Sequence, residues 1–302
     1  MVAPHSRPGS SMTTGNSAAT RGDRTGFNPA ALLASVQRIP TNLARWILVL
    51  SRPPRARLPR WSAGVIVATC AIVAAIVASM LFVDTAAIDW ARHLPRWIDE
   101  TADKITNLGQ SGVFLYPLGF TLLILAAIVT PTMPRLAQGV LASVVVRFGF
   151  LFVAIGLPSL FVTIVKRLIG RARPYVGPHD DPFVYLPFVW KPEYASMPSG
   201  HATTAAAAAI AIGAIWPRMR PVMWLYVLVI MLSRILIGVH HPSDVIAAVL
   251  VGAVGAQLVR RWFAARGLGF SAVDLRAYPW PSWRRFKAAA HLVFSGLALP
   301  AN

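Results

Sequence analysis

The sequence predicts an all-α fold, a transmembrane bundle of six spanning helices. Of its 302 residues, 56% are hydrophobic and 13% are charged, whereas soluble domains average about 45–50% apolar and about a quarter charged residues. The apolar residues are concentrated in long blocks, and a block of about 20 such residues can span a bilayer. Lys and Arg mostly flank those blocks, which is typical of membrane topology. The composition therefore favours an integral membrane protein.

Six apolar blocks are candidate spans. They lie near residues 63–83, 113–131, 148–166, 200–216, 222–238 and 243–260. No cleavable signal precedes the first block, so we expect it to serve as an uncleaved anchor. The fourth block is short and rich in alanine. Such a helix is a weak lipid-facing span, so we expect it to be packed among its neighbours.

Three regions are expected along the chain. They are a basic, largely disordered cytoplasmic tail over 1–60, a six-span core over 61–263 and a cytoplasmic C-terminal segment over 264–302. The first 30 residues are rich in Ser, Thr, Gly and Arg, which is typical of disorder. Segments 41–50 and 279–299 combine Trp and Arg with an apolar face, as surface-lying membrane helices do. An unstructured tail is an equal alternative for 41–50, whereas the helix is favoured for 279–299.

The basic residues assign a direction to the spans. With six spans, one side collects Arg52, Arg55, Arg57, Arg60, Arg218, Arg220, Arg260, Arg261 and Arg266. Because Lys and Arg accumulate in cytoplasmic segments, this side should be the cytoplasm, with both tails inside. The loop over 84–112 is mixed to acidic and fits the opposite side. We therefore expect a multi-pass protein of the cell membrane.

Charge and cysteine content exclude several function classes. The formal net charge is +18, but no aromatic and basic binding module accompanies it, so no nucleic-acid partner is predicted. The single Cys70 lies in an apolar run, which excludes an internal disulfide and a Cys-based zinc site. The sequence does not set the oligomeric state.

One basic cluster violates the positive-inside pattern and suggests an anion-binding role. It consists of Lys166, Arg167, Arg171, Arg173 and Lys191 in an outer loop. Lys166 and Arg173 are seven residues apart, so on a helix they face nearly the same direction. Pro174 then ends the helical segment. Arg167 and Arg171 point elsewhere, and for them an interfacial charge is an equal alternative.

A second cluster is the stretch PSGHATT over residues 198–204. Ser199 is a plausible helix N-cap, and Gly200 lets a ligand approach the backbone closely. The free N–H groups of a helix N-terminus bind phosphate readily. Taken alone, simple capping of a span is an equal alternative.

The third cluster is SRILIGVHHPSD over residues 233–244. Arg234 falls in the last turns of span five, and Pro242 suits the first turn of span six. His240 precedes that helix, and Asp244 lies in its first turn, where its carboxylate can reach an imidazole. Either histidine alone would be better interpreted as an ordinary interfacial residue. The six-span topology, however, places all three clusters at the outer face, which favours a joint function.

These stretches resemble the signature of the type 2 phosphatidic acid phosphatase family. KRLIGRARP, PSGH and SRILIGVHHPSD are similar to its Lys-x6-Arg-Pro, Pro-Ser-Gly-His and Ser-Arg-x5-His-x3-Asp motifs. Every signature residue agrees, and the resemblance covers roughly residues 140–260. Its spacing selects His240 and Asp244, which leaves His241 as a structural residue. Vanadium-dependent haloperoxidases share this signature on a soluble helical scaffold.

The resemblance implies a role for each matching residue. The phosphate would be bound by Lys166, Arg173, Ser199, Gly200 and Arg234. His240 would attack phosphorus to form a phosphohistidine, and Asp244 would orient its ring. His201 would protonate the leaving oxygen and then activate water. Three cations without an acidic ligand cluster favour phosphoryl transfer without a metal or other cofactor.

The expected substrate is a membrane lipid phosphate, because the site lies at the membrane–water boundary. Candidates are a polyprenyl diphosphate, phosphatidic acid, phosphatidylglycerol phosphate and a lipid A phosphate; the sequence does not choose among them. Two alternatives are a vanadate-dependent oxidant, disfavoured by the six spans, and a transporter or inactive scaffold. The latter needs neither the Lys166–Arg173 spacing nor the His240–Asp244 pair.

Overall fold

The computed structural model of the protein describes residues 29–176 and 181–298. Helices dominate these ranges, which otherwise contain only two isolated β-bridges as regular pairing. In chain order the α-helices are α1 Pro29–Ser51, α2 Ala63–Phe82, α3 Asp84–Arg92, α4 Arg96–Thr106, α5 Ser111–Ile128, α6 Arg135–Ile169, α7 Gly200–Ile215, α8 Arg220–Leu236, α9 Pro242–Ala265 and α10 Trp283–Ala298. The predicted all-α class is confirmed.

Within the described ranges, five helical stretches are long and apolar enough to cross a membrane. They are Ala63–Phe82, Arg96–Ile128, Arg135–Ile169, Pro217–Leu236 and Pro242–Ala265. Helix α7 is apolar but has 16 residues, fewer than the roughly 20 that a span needs. A multi-pass membrane protein is therefore confirmed, whereas the count of six spans stays a prediction.

Helix α7 lies at the centre of the bundle, packed against α6, α8 and α9. Its alanines from Ala205 to Ala208 are fully buried, and such small side chains let neighbouring helices approach closely. At Gly252 of α9, an added Cβ would lie 2.4 Å from the Thr203 carbonyl oxygen. Only glycine fits at that crossing. The expectation that the fourth span is packed among its neighbours is confirmed.

Helix α6 begins at Arg135, well before the predicted span over 148–166. The predicted span begins directly after Arg147, a charged residue that interrupts the apolar run. In the structure Arg147 is 4% exposed. Its Nη2 donates to the Tyr278 carbonyl at 2.7 Å, and its guanidinium lies 4.4 Å from the centre of the Trp280 ring. The C-terminal segment thus pairs with this arginine inside the helix, while Arg147 Nε makes no hydrogen bond to the described residues.

The segment over 84–112, predicted as a loop between spans, is largely helical. It forms α3 and α4, and α4 packs against α8. Ala102 and Thr106 are the buried residues of α4. Charged residues dominate the rest of this short helix, which is why its sequence resembles a solvated loop.

Helices α1 and α10 lie at one end of the bundle. The Asn42 side chain of α1 donates to the Ala126 carbonyl at 2.8 Å, near the end of α5. Helix α10 packs on the first turns of α6. The Arg55 N–H donates to the Ala265 carbonyl at 2.7 Å, which joins the basic segment before α2 to the end of α9. The arginine-rich segments therefore gather together, as their predicted common side requires.

Helices occupy both segments considered as membrane-surface helices, with different bounds, and their position at a membrane surface stays a prediction. The helix predicted over 41–50 begins at Pro29, and the one predicted over 279–299 is α10. Part of the predicted disordered tail is therefore helical. The rest of that prediction, over residues 1–28, lies outside the described residues.

Candidate active site

The three sequence clusters meet at the end of the bundle opposite the arginine-rich segments. Lys166 lies in the last turn of α6, and Ser199 is the N-cap residue of α7. Arg234 lies in the last turn of α8, and Asp244 lies in the first turn of α9. The Ser199 N–H donates to the Asp244 carbonyl at 3.2 Å, which ties two of the clusters together directly.

The geometry of the first cluster differs from the predicted one. Helix α6 ends at Ile169, and Gly170 follows as its C-cap residue with φ 65°. An added Cβ on Gly170 would lie 1.9 Å from the Leu186 carbonyl oxygen, so glycine is required there. Arg173 is therefore not on the helix that carries Lys166. The prediction that Lys166 and Arg173 share one face of a helix was wrong. The loop after α6 brings their side chains together instead.

Three basic side chains surround the first turn of α7. Lys166, Arg173 and Arg234 lie within electrostatic range of one another. All three lie within electrostatic range of His201 as well. Like charges so close together repel one another, and a bound anion would relieve that repulsion. The structure thus brings together the basic residues for which an anion-binding role is predicted.

Several buried donors beside these charges have no partner within the described part of the chain. Arg173 Nε, Arg234 Nε and Ser199 Oγ are buried and make no hydrogen bond to the described residues. Unpaired buried donors are costly. Ser199 occupies the N-cap position, but its hydroxyl caps no backbone N–H. A Cβ added to Gly200 would meet nothing within 4 Å. The open space beside Gly200 and this set of unpaired donors suit an oxyanion.

The segment predicted as a loop also contributes to the site. Arg234 Nη1 donates to Thr106 Oγ1 at 2.8 Å. The turn after α4 passes so close to His201 that a Cβ on Gly109 would lie 3.1 Å from the His201 Cβ. Nothing in the local sequence of Thr106 or Gly109 signalled this role, since both contacts exist only after packing.

His240 and Asp244 are neighbours, but their hydrogen bond is not formed in this geometry. His240 Nδ1 lies 3.6 Å from Asp244 Oδ2, which exceeds hydrogen-bond distance. Ser196 Oγ lies 3.5 Å from the same nitrogen and donates to Asp244 Oδ2 at 2.6 Å.

The surroundings of His240 keep its ring neutral. Burial lowers the pKa of His240 to about 4, although Asp244 opposes the shift, and the charges of Arg234 and Arg173 lower the pKa further. The imidazole is consequently uncharged at neutral pH. This is the form that carries a lone pair for nucleophilic attack.

His241 also lies beside Asp244. Its backbone N–H donates to Asp244 Oδ2 at 2.9 Å, and its Nδ1 lies 3.5 Å from that oxygen. The His241 ring is fully buried, and its nitrogens make no hydrogen bond to the described residues. Distance to the carboxylate therefore does not distinguish the two histidines.

Sequence reasoning missed a buried ionic network at Asp244. For Arg171, the sequence analysis left open whether it is only a charge at the membrane interface. In the structure Arg171 has no exposed surface. It donates to Asp244 Oδ1 at 2.5 Å and to Asp84 Oδ2 at 2.8 Å. One signal was present: Asp84 directly follows an apolar span, where a carboxylate is costly unless it is paired.

Comparison with known proteins gives matches over the same region. The profile described as PAP2 superfamily matches residues 147–268, which contain all three motifs. The lipid A 1-phosphatase of Rhizobium johnstonii is 30% identical over 235 residues, covering 75% of this chain and 89% of that protein. The decaprenylphosphoryl-5-phosphoribose phosphatase of Mycobacterium tuberculosis is 41% identical over 96 residues, covering 32% and 50%. The crystal structure of Aquifex aeolicus LpxE aligns with a TM-score of 0.40 at 22% identity, covering 56% and 88%.

Proposed function

The chain belongs to the PAP2 superfamily of membrane lipid phosphatases, and on this premise we propose that it hydrolyses a lipid phosphate through a phosphohistidine at His240. The observation that carries the proposal is the set of unpartnered buried donors from Arg173, Ser199 and Arg234. These donors lie in the part of the chain where the family motifs meet. A phosphoryl group supplies the acceptor oxygens and the negative charge that such donors require.

Charge neutralisation is the first task of the site. A phosphate monoester is doubly charged and poorly electrophilic, so it repels a nucleophile unless cations surround it. We assign Lys166, Arg173 and Arg234 to this role, with the Ser199 hydroxyl and the Gly200 N–H as neutral donors. The N-terminal position of these last two on α7 adds the favourable end of the helix dipole.

The chemistry proceeds in two displacements. In the first, His240 Nε2 bonds to phosphorus while the bond from phosphorus to the lipid oxygen breaks, and His201 gives that oxygen a proton. In the second, His201 takes a proton from water, which attacks phosphorus and releases His240 and inorganic phosphate. Asp244 accepts the hydrogen bond of His240 Nδ1–H and stabilises the imidazolium. We expect their 3.6 Å separation to shorten when phosphate binds.

The substrate class can be tested with a panel of lipids. Purified protein would be assayed for phosphate release from lipid A, polyprenyl diphosphate, phosphatidic acid and phosphatidylglycerol phosphate. We place a lipid A phosphate first, because the lipid A 1-phosphatase relative is matched over 89% of its length. Release that requires His240 supports the proposal. Failure of the folded protein on every lipid phosphate would contradict it.

Turnover should be independent of a metal ion and sensitive to vanadate. The three cations supply the neutralisation that a metal provides in other phosphatases, so activity should persist in excess EDTA. Vanadate adopts the five-coordinate geometry of the transferring phosphoryl group, so it should inhibit competitively with the lipid. Steady-state rates with and without each reagent measure both effects. Recovery of an EDTA-inactivated enzyme by Mg²⁺ would contradict the metal-free mechanism.

We propose that the site faces the outside of the cell membrane and the arginine-rich end faces the cytoplasm. Cysteine labelling can test this orientation. In a Cys70→Ser background, Phe188→Cys would report the site end and Arg218→Cys the opposite end; both native residues are exposed. A membrane-impermeant maleimide should label only the first variant in intact cells and both after lysis. The reverse pattern would place the site inside.

A further inference from the structure

Asp244 belongs to a network of side chains that is completely buried. Asp84, Arg171, Ser196, Ser243 and Asp244 all have no exposed surface. They come from four separate segments: the α2–α3 junction, the loop after α6, the stretch before α7 and the first turn of α9. Buried charges are costly unless they are paired and hydrogen-bonded. The positions of these groups are therefore strongly constrained.

The two oxygens of Asp244 have different partners. Oδ1 accepts from Arg171 Nη1 at 2.5 Å. Oδ2 accepts from Ser196 Oγ at 2.6 Å and from the His241 N–H at 2.9 Å. The same Oδ2 lies 3.6 Å from His240 Nδ1. The carboxylate cannot rotate without breaking its charged hydrogen bond to Arg171. By binding Oδ1, Arg171 therefore keeps Oδ2 facing His240.

Arg171 is itself held in place. Its Nε donates to the Pro182 carbonyl at 2.9 Å, and its Nη2 donates to Asp84 Oδ2 at 2.8 Å. Asp84 in turn accepts from Ser79 Oγ and from the Ser243 N–H, each at 2.9 Å. Asp84, at the α2–α3 junction, thus fixes the orientation of the Arg171 guanidinium.

We propose that Arg171 and Asp84 are positioning residues for the reaction: Asp84 fixes Arg171, and Arg171 fixes Asp244 with one oxygen directed at His240. This inference rests on the proposed function, in which His240 is the nucleophile. The two carboxylates and the guanidinium together leave one formal negative charge. That charge lies beside the ring that becomes an imidazolium when it bonds to phosphorus, so the network both orients and stabilises it.

Substitution should lower kcat more than it changes KM. Asp84→Asn keeps the side-chain size and removes the charge, and kcat should fall about 10- to 100-fold, as when other outer partners of a catalytic group are removed. In Arg171→Met, kcat should fall further. Arg171→Lys should recover part of the loss, because lysine restores the charge but cannot donate to both carboxylates with one planar group. KM for the lipid phosphate should change less than about threefold, since the phosphate donors are intact.

Arg167→Met is the matched control. Arg167 donates to the Thr163 carbonyl at 2.6 Å and lies 5.1 Å from the centre of the Trp190 ring. It has the same side chain as Arg171 and lies in the last turn of α6, shortly before Arg171 in the chain, but it is outside the network. Its loss should leave kcat within about twofold of the parent, as for most surface substitutions.

The pH profile separates positioning from a merely structural effect. The charged and titratable groups that act on His240 are Asp244, Arg234, Arg173 and His201. Removing Arg171 leaves Asp244 less neutralised, which favours protonated His240, so the acid limb of kcat/KM should move to higher pH. Asp84→Asn leaves Arg171 less neutralised, which disfavours protonated His240, so that limb should move to lower pH.

A double substitution completes the test. On an Asp244→Asn background, Arg171→Met should cost little more, because both residues act through the same carboxylate. If Arg171→Met does not fold, as judged by gel filtration and thermal unfolding, Asp84→Asn and Arg171→Lys provide the same comparison. Parental kcat in these folded variants, or losses without the opposed pH shifts, would overturn the positioning role. Activity in His240→Ala would instead overturn the proposed function.

Discussion

Replacing His240 with alanine should lower kcat by about 10⁴-fold or more on every lipid phosphate. No change of substrate can compensate for this loss, because the missing group is the one that bonds to phosphorus. His241→Ala should retain most of the activity. The two rings lie 3.6 and 3.5 Å from Asp244 Oδ2, so they form a matched pair in which only the predicted role differs. Phosphate release by the purified variants measures the effect.

The control for this comparison is the folded fraction of each variant. The His241 ring is fully buried, so its removal leaves a cavity and lowers stability. Rates should therefore be measured well below the thermal midpoint of each variant. Equal losses of kcat in folded His240→Ala and His241→Ala would contradict the assignment of the nucleophile.

Removal of His201 should slow the reaction by an amount that depends on the leaving group. A general acid contributes about 10²- to 10⁴-fold when the leaving alkoxide is a strong base. An alkyl lipid phosphate therefore needs the proton, and His201→Ala should form the phosphoenzyme very slowly from it. A nitrophenyl phosphate leaves as a stabilised phenolate, so the same variant should lose much less. His240→Ala should be inactive on both substrates.

The appropriate readout is phosphoenzyme formation in a single turnover. Hydrolysis of the intermediate also requires His201, and in the steady state this second step would mask the difference between leaving groups. Rapid quenching with each substrate isolates the first step. If His201→Ala phosphorylates equally slowly with both leaving groups, His201 is not the general acid.

The sequence predicted the parts of the structure that depend on local patterns. Apolar blocks located the long helices, and Pro242 marked the start of α9 correctly. Ser199 is the N-cap of α7, as its neighbours indicated. The spacing from Arg234 placed His240 beside Asp244, although the two are 3.6 Å apart rather than hydrogen-bonded.

Features created by packing could not be predicted in the same way. Arg171 and Asp84 are 87 residues apart in the chain, and only the assembly of four segments pairs them. On a helix continued from Lys166, Arg171 was expected to point away from Lys166 and Arg173, but α6 ends at Ile169. Arg147 lies inside α6 because it donates to the Tyr278 carbonyl, which is 131 residues away in the chain. Long-range pairing of charges is invisible to periodicity.

The most direct test of the mechanism is the identity of the phosphorylated residue. The protein would be mixed with a lipid substrate that carries a radiolabelled phosphate, quenched within one turnover and analysed for its phosphoryl linkage. The mechanism predicts an acid-labile, base-stable label that is lost in His240→Ala and retained in His241→Ala. An acid-stable label on Ser199, or a label that persists in His240→Ala, would contradict it.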